Sequence, residues 1–291
     1  MRIRATVAAV SGALALSALA VPAAQAADGP GTPEALLSSP RAAADELPME
    51  DIQIGDIKIT KNIVNGGKNI VVGTTAKKKF TVAVTTTDPS GIEAGGGFLW
   101  HGKKFTEASV DGMLVPADNA KPTCVKLNAT TSTCSLPITI NPKASFDKNG
   151  LRNHLAGGGW NVYGMAAAKD EDFVIKRQLK TPVRIQRAAR LTVNASPEPV
   201  KKGKTITVAG ALTRANWDTR KYAGYTQQPV KLQFKKKGAS SYTTVKTVKT
   251  DRKGNLKTTV KASADGTFRY VFAGTSTTPA VTSAGDFIDV R

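Results

Sequence analysis

The stretch Lys79-Phe-Thr-Val-Ala-Val-Thr-Thr-Thr87 decides the fold class of this chain. Phe80, Val82 and Val84 alternate with small or polar residues, so every second side chain falls on one face of an extended strand. Asp88-Pro-Ser-Gly91 follows directly, and these four residue types all favour a turn. Alternation closed by a turn predicts an antiparallel sheet that has one face on a core.

The same period of two continues on both sides of this strand. Further alternating segments occupy residues 57–59, 70–72, 97–103, 110–115, 135–140, 160–165 and 173–179. No helical periodicity separates them. Seven to nine strands over about 130 residues predict a β-sandwich domain that covers residues 55–188.

The C-terminal part of the chain repeats this pattern more regularly. Seven alternating segments occupy residues 191–193, 205–208, 230–234, 242–248, 256–260, 268–272 and 287–290. Seven short strands in about 100 residues are typical of an immunoglobulin-like domain, which we place at residues 189–291. The expected fold class is all-β, with two tandem Ig-like antiparallel β-sandwich domains.

The first 26 residues have the three parts of a secretory signal peptide. Arg2 and Arg4 form a basic start, residues 5–21 are apolar, and Ala24-Gln-Ala26 offers a cleavage site. The apolar run is short for a membrane span, so we expect a cleaved peptide and no transmembrane segment. Residues 27–54 mix Pro, Gly, Ser and acidic residues without a period, which indicates a flexible acidic leader. A secreted, extracellular protein is predicted.

The formal net charge of +19 is spread unevenly. Residues 27–54 carry one Arg against six acidic residues, whereas residues 191–291 carry 18 basic against 6 acidic residues, a net of +12. A basic surface attracts polyanions, which outside a cell include anionic cell-wall polymer. The plainer interpretation is solubility, because lysines spaced singly along strands line an outward sheet face. Motifs of specific nucleic-acid binding are missing.

Cys124 and Cys134 are the only cysteines of the chain. In an oxidising compartment the two are expected to form a disulfide. The residues between them are typical of two short strands around a turn, which places the cysteines opposite each other. A metal or redox role requires a CxxC spacing or nearby histidines, and neither is present.

Two histidines, His101 and His154, limit the catalytic chemistry that the chain can support. No GxSxG or HExxH motif accompanies them, and we interpret both as surface or hydrogen-bonded residues. The sequence therefore predicts no catalytic residues and a protein that is not an enzyme.

Calcium is the one cofactor that the sequence offers as an alternative. The ion takes about six to eight oxygen ligands, and Asp147-Lys-Asn-Gly150 copies the start of an EF-hand loop without its later glutamate. Asp170, Glu171 and Asp172 form an acidic run at a strand connection. Turn chemistry and solubility account for the same acids, so the weak metal set of Asp147, Asp170, Glu171 and Asp172 stays an alternative to no cofactor.

A long connection in the C-terminal domain combines aromatic and cationic residues. It contains the candidate binding residues Arg214, Trp217, Arg220, Lys221, Tyr222 and Tyr225. Rigid aromatic rings beside Arg and Lys suit contact with a protein or a glycan. In the alternative, the loop folds its own Trp and Tyr onto the end of the sandwich and closes the core.

Two parts of the chain resemble uncharacterised secreted actinobacterial proteins with tandem Ig-like domains. The likeness lies in Lys202-Gly-Lys-Thr-Ile-Thr-Val208 and Lys221-Tyr-Ala-Gly-Tyr225, and in Leu99-Trp-His-Gly102 and Ala156-Gly-Gly-Gly-Trp160 of the first domain. Some of these proteins carry the label calcium-binding protein. The expected function is non-enzymatic binding or adhesion at or outside the cell envelope, to anionic cell-wall polymer or another extracellular protein. The alternatives are a calcium-binding extracellular protein and a secreted protease inhibitor.

Overall fold

The computed structural model describes residues 47–145 and 148–291. Within these residues the chain forms strands joined by loops and short 3-10 turns, such as Asn65–Gly67 and Asn153–Leu155, and it contains no α-helix. The predicted all-β class is confirmed. The predicted signal peptide and most of the acidic leader lie outside the described residues.

The N-terminal domain consists of strands that are short to medium in length. They are β1 (Ile52–Ile54), β2 (Lys58–Val64), β3 (Ile70–Val72), β4 (Lys78–Thr87), β5 (Ile92–Gly102), β6 (Val110–Leu114), β7 (Thr123–Lys126), β8 (Thr131–Ile140), β9 (Trp160–Ala168), β10 (Phe173–Lys180) and β11 (Ile185–Arg187).

Two sheets of these strands form a sandwich. One has the order β2-β4-β8-β7 and the other the order β1-β10-β9-β5-β6. Without β1, these are the A-B-E-D and G-F-C-C′ orders of the immunoglobulin fold. Phe80, Val82 and Val84 of β4 are buried as their alternation predicts, and they pack against the apolar side chains of the facing sheet.

The C-terminal domain follows without a spacer. Its strands are β12 (Ala189–Leu191), β13 (Asn194–Ser196), β14 (Thr205–Asn216), β15 (Lys221–Gly224), β16 (Pro229–Lys236), β17 (Thr243–Lys249), β18 (Asn255–Lys261), β19 (Gly266–Phe272), β20 (Val281–Thr282) and β21 (Asp286–Ile288).

These strands also form two antiparallel sheets. In one sheet β14 lies between β18 on one side and β12 and β13 on the other; the second has the order β17-β16-β19, followed by β20 and β21. These are the A-B-E and C′-C-F-G orders of an immunoglobulin-like sandwich. Ile206, Val208, Leu232, Phe268 and Tyr270 fill the core between the sheets without a disulfide.

The end of the predicted leader is part of the fold, which corrects the boundary drawn at residue 54. Ile52–Ile54 pair with β10 as an additional edge strand, and Leu47 is buried in the core. Asp51 forms ion pairs with Arg177 at 3.2 Å and with Lys176 at 3.5 Å. Composition marks this segment as polar and acidic, but an Ile-x-Ile pair beside a free sheet edge is sufficient for pairing.

The disulfide between Cys124 and Cys134 is confirmed. The two residues lie opposite each other on β7 and β8, within one sheet. The bond therefore joins neighbouring strands and does not cross the core between the sheets. Within the described residues, no helix has the length and apolarity that a membrane span requires.

Candidate functional site

The connection predicted as a binding loop is a β-hairpin at the boundary between the two domains. Strand β14 continues to Asn216, and β15 pairs back onto it with Tyr222 opposite Ala215. The hairpin therefore projects from the end of the C-terminal sandwich that faces the N-terminal one.

Trp217 occupies the tip of this hairpin and is only 1% exposed. It belongs to the hydrophobic core of the N-terminal domain, although the C-terminal domain carries it. Its indole N–H donates to the carbonyl oxygen of Val72 at 3.3 Å, and its backbone N–H donates to the side-chain oxygen of Asn153 at 3.0 Å. A ligand cannot reach this ring unless the domains separate. Trp217 therefore packs into a hydrophobic core, as the second interpretation of this loop predicts. The core is that of the N-terminal domain, not of the domain that carries the ring.

The two tyrosines of the hairpin region are half-buried and already have cationic partners. The Arg190 guanidinium lies 3.6 Å from the ring centroid of Tyr222, and that of Arg214 lies 3.8 Å from the ring centroid of Tyr225. Burial lowers the pKa of Arg214, and the nearby Tyr225 opposes this shift. These stacked pairs leave little ring surface for a ligand. Of the six candidate binding residues, Arg220 and Lys221 are exposed.

A buried polar joint fixes the two domains beside this hairpin. Arg187 Nε donates to the carbonyl oxygen of Ala215 at 2.5 Å, and the Arg187 backbone N–H donates to that of Thr277 at 2.9 Å. Burial, followed by the charge of Arg214, lowers the pKa of Arg187 to about 10. The guanidinium thus stays charged at neutral pH and needs the Ala215 carbonyl as an acceptor. Nothing in the sequence separates Arg187 from the surface arginines around it.

The histidines are placed by structural contacts. His101 Nδ1 lies 2.5 Å from Asp111 Oδ1, and Nε2 lies 3.1 Å from the carbonyl oxygen of Gly158. Asp111 is a partner that the sequence did not reveal, because β5 and β6 bring the two residues together only through their pairing. Since both ring nitrogens are occupied, His101 has no free position for a nucleophile. His154 is exposed.

Three carboxylates converge at one end of the N-terminal sandwich. Asp56 precedes β2, Asp88 follows β4, and Asp172 lies in the turn between β9 and β10; one oxygen from each lies within 4.8 Å of the others. Asp170 and Glu171 of the predicted metal set lie exposed in the same turn. Asp147 lies outside the described residues.

The electrostatics of this acidic group raise the pKa of Asp56. Desolvation is the first cause, and the negative charges of Asp88 and Asp172 are the next. Asp88 is only 1% exposed, and within residues 47–145 and 148–291 its Oδ2 has no hydrogen-bond partner. In the sequence Asp56, Asp88 and Asp172 lie far apart, and no local pattern shows that Asp56 and Asp88 lie beside Asp172 in the fold.

The opposite end of the C-terminal domain carries a basic groove. This groove, which we call the distal groove, has a volume of about 430 Å³ and is lined by Lys202, Lys236, Lys237, Asp265 and Arg291, together with Ser263, Ala264 and Val290. Its four cationic side chains are exposed. Lys237 pairs with Asp265 at 3.5 Å, whereas Lys202 and Lys236 form no ion pair in the part of the chain described.

Asp265 contributes one fixed negative charge to the distal groove. The backbone N–H of Val290 donates to it at 2.9 Å, and this bond is the main cause that lowers the pKa of the Asp265 carboxyl. Desolvation opposes the shift, and the hydrogen bond and charge of Lys237 add to it. Asp265 therefore stays ionised at neutral pH and holds Lys237 beside it, while the lining as a whole carries more cations than carboxylates.

An aromatic ring lies on the outer sheet face next to this groove. The Arg269 guanidinium stacks on Tyr242 at 3.7 Å, and Lys235 Nζ lies 5.2 Å from the same ring. Arg269 also donates to Gln233 at 2.9 Å. The sequence analysis did not identify Tyr242 and Arg269. Tyr242 directly precedes β17 and Arg269 lies on β19, and the two become neighbours only when β17 and β19 pair on either side of β16.

No protein-family model and no curated protein matches the chain. Solved structures show a distant likeness. A titin I-band fragment, I67–I69, is 12% identical over 81% of this chain and 66% of that chain, with a TM-score of 0.31. Fibronectin(III)-like modules of Clostridium thermocellum CbhA are 10% identical over 79% and 93%, with a TM-score of 0.29. The eight N-terminal Ig domains of the Down Syndrome Cell Adhesion Molecule are 9% identical over 80% and 37%, with a TM-score of 0.30. No functional inference rests on such distant similarity.

Proposed function

We propose that this chain is a secreted, non-enzymatic binding protein that holds anionic polymer at the cell envelope through its C-terminal domain. The observation that carries the proposal is the distal groove, which Lys202, Lys236, Lys237 and Arg291 line together. Lys237 pairs with Asp265 and Arg291 with Asp289, so the four cations have two carboxylate partners. Clustered, exposed cations of this kind attract repeating negative charges such as those of a polyphosphate wall polymer.

The position of the groove suits a binding role. Lys236 pairs with Gly266 at the start of β19, whereas the loop after the other end of that strand meets the N-terminal domain through Thr277. The groove and the domain joint therefore lie at opposite poles, roughly 40 Å apart along the 12 residues of β14. A polymer bound in the groove does not collide with the first domain.

A non-enzymatic role agrees with the environment of the histidines. His101 is oriented by Asp111, and its Nε2 contacts the Gly158 carbonyl oxygen. A nucleophile bonded to the imidazole is the first requirement of a hydrolytic triad. The distal groove contains Ser263 without a histidine among its lining residues.

The test is equilibrium binding of the protein to isolated cell wall and to soluble polyphosphate, over a range of salt concentrations. We expect binding at low salt that weakens as salt shortens the screening length, from about 10 Å at 0.1 M to about 3 Å at 1 M. Changing Lys202, Lys236 and Lys237 to Ala should weaken binding about tenfold, since each exposed ionic contact contributes on the order of 0.5 kcal/mol.

A matched control separates the groove from the overall charge. Changing Lys121, Lys126 and Lys143 to Ala removes the same charge from exposed positions of the N-terminal domain. This control should bind nearly as the unchanged protein does. Equal weakening in both triple variants would show that net charge, and no defined site, attracts the polymer.

A further inference from the structure

The acidic group of Asp56, Asp88 and Asp172 brings three segments of the N-terminal domain to one point. These residues belong to the start of β2, the end of β4 and the turn between β9 and β10. Three carboxylates so close repel one another unless a positive charge lies between them. The surroundings make this group unusual, because residues 55–190 carry 20 basic residues against 10 acidic ones.

Two buried oxygens at this end of β4 lack a hydrogen-bond partner among the residues that the structure describes. Asp88 Oδ1 accepts bonds from the backbone and the hydroxyl of Ser90, at 2.8 and 2.6 Å, while its Oδ2 has none. Thr86, which is fully buried two residues earlier on the same inward face, has an unpartnered hydroxyl as well. Leaving buried polar atoms unpaired is costly, and native proteins rarely do so unless a ligand or ion satisfies them.

The geometry points to a site for a hard divalent cation of the size of Ca²⁺, bound by Asp56, Asp88 and Asp172. Carboxylate oxygens are hard ligands, and the group contains no nitrogen or sulfur ligand of the kind that zinc prefers. One oxygen from each carboxylate lies within 4.8 Å of the others, so a single ion can contact all three. Ca²⁺ accepts about six to eight oxygen ligands in a flexible geometry, whereas Mg²⁺ demands a near-ideal octahedron and gives up its bound water reluctantly.

Asp88 is the central ligand of this site. The unpartnered Oδ2 of this buried side chain binds the ion, while the Oδ1 bonds to Ser90 hold the carboxylate in place. Asp56 and Asp172 approach from the solvent side, and water completes the coordination. The ion fastens the turn between β9 and β10 to the ends of β2 and β4, so it stabilises the N-terminal domain independently of polymer binding.

The test measures binding and thermal unfolding of the chelator-treated protein with CaCl₂ and, separately, with MgCl₂ at neutral pH. Calorimetry should show one Ca²⁺ per chain, with the submillimolar to millimolar affinity of extracellular modules. The unfolding midpoint should rise by about 4 °C at a tenfold excess of Ca²⁺ over its dissociation constant. Mg²⁺ should give less than a quarter of this shift.

Three variants identify the site. Asp56→Asn changes an exposed ligand, Asp88→Asn changes the buried one, and both should abolish the Ca²⁺-dependent shift. Glu107→Gln removes one exposed negative charge from the same domain and should keep the shift. If Asp88→Asn fails to fold, the exposed Asp56→Asn still decides the result.

Two outcomes overturn the inference. One is a midpoint that does not respond to Ca²⁺ but rises when the pH is lowered, which would show that a proton shared by Asp56 and Asp88 neutralises the group. The other is a Ca²⁺ response that persists in Asp56→Asn and Asp88→Asn alike. Neither outcome bears on binding to polyphosphate, so the proposed function is tested separately.

Discussion

At the scale of single residues, Trp217 joins the two sandwiches. The ring is carried by the C-terminal domain and buried in the core of the N-terminal one. Trp217→Ala should lower the free energy of unfolding by about 3–5 kcal/mol, because it leaves a cavity in that core. Denaturant unfolding measures this loss. Lys221→Ala, an exposed neighbour on the same hairpin, should stay within about 0.5 kcal/mol of the unchanged protein.

Because Trp217 lies in the domain joint, we also expect that Trp217→Ala molecules that remain folded still bind the polymer. If Trp217→Ala is as stable as the unchanged protein and loses binding, the hairpin is a ligand site and the assignment of the distal groove is wrong.

The residues of the Trp217 hairpin predict only part of its role. A tryptophan between Arg214 and Arg220 is compatible with a ligand contact or with a buried joint, and the sequence offers both. The choice depends on where Val72 and Asn153 lie, and both belong to another domain far away in the chain. The same holds for His101 and Asp111, which become partners only through the register between β5 and β6.

At the scale of elements, β1 depends on the ion pairs of Asp51. Partial burial raises the pKa of this carboxyl, but hydrogen bonds from Arg177 and the charges of Lys176 and Arg177 outweigh it, so the pKa lies below its usual 3.8. The ionised form therefore stabilises the fold above the pKa of the unfolded chain. This contribution disappears as the pH falls through the folded-state pKa.

Asp51→Asn should accordingly cost about 0.5 kcal/mol at pH 7, the size expected for an exposed ion pair. Near pH 2 the difference between variant and unchanged protein should vanish. Urea unfolding at the two pH values checks this prediction, and an equal cost at both would mean that the Asp51 charge does not hold β1 in place.

The disulfide between β7 and β8 belongs to the same scale. Reduction, or replacement of both Cys124 and Cys134 by Ser, should lower the stability by about 3 kcal/mol in the chain-entropy model, as the bond closes a short loop. Denaturant unfolding of the oxidised and reduced protein compares the two states. Unchanged stability after reduction would show that β7 pairing alone holds this ribbon.

Most strands could be read from alternation, whereas strands such as β1 and β15 and the ends of the strands could not. The sequence predicts a strand from residue 97, but β5 begins at Ile92 and runs through three glycines. At Gly96 a Cβ atom would lie 2.5 Å from Leu136 Cδ1, and at Gly97 one would lie 2.5 Å from the Tyr163 carbonyl oxygen. These glycines are required by close packing, which no local pattern shows.

At the scale of the whole molecule, the two poles of the C-terminal domain have different surroundings. One pole is buried against the first domain, and the other exposes the distal groove. The sequence predicts the excess of positive charge and the sandwich, but it does not say which pole is free. That depends on the docking of Trp217, which buries the tip of the predicted binding loop and leaves the basic pole exposed as the proposed binding site.

The most direct measurement is an NMR titration of the isotope-labelled protein with a short polyphosphate at low salt. We expect the largest amide shift changes at Lys202, Lys236, Lys237 and Arg291, and we expect them to disappear when salt is raised to about 1 M. Changes centred on the Trp217 hairpin or on the N-terminal domain, or changes spread evenly over all exposed lysines, would contradict it.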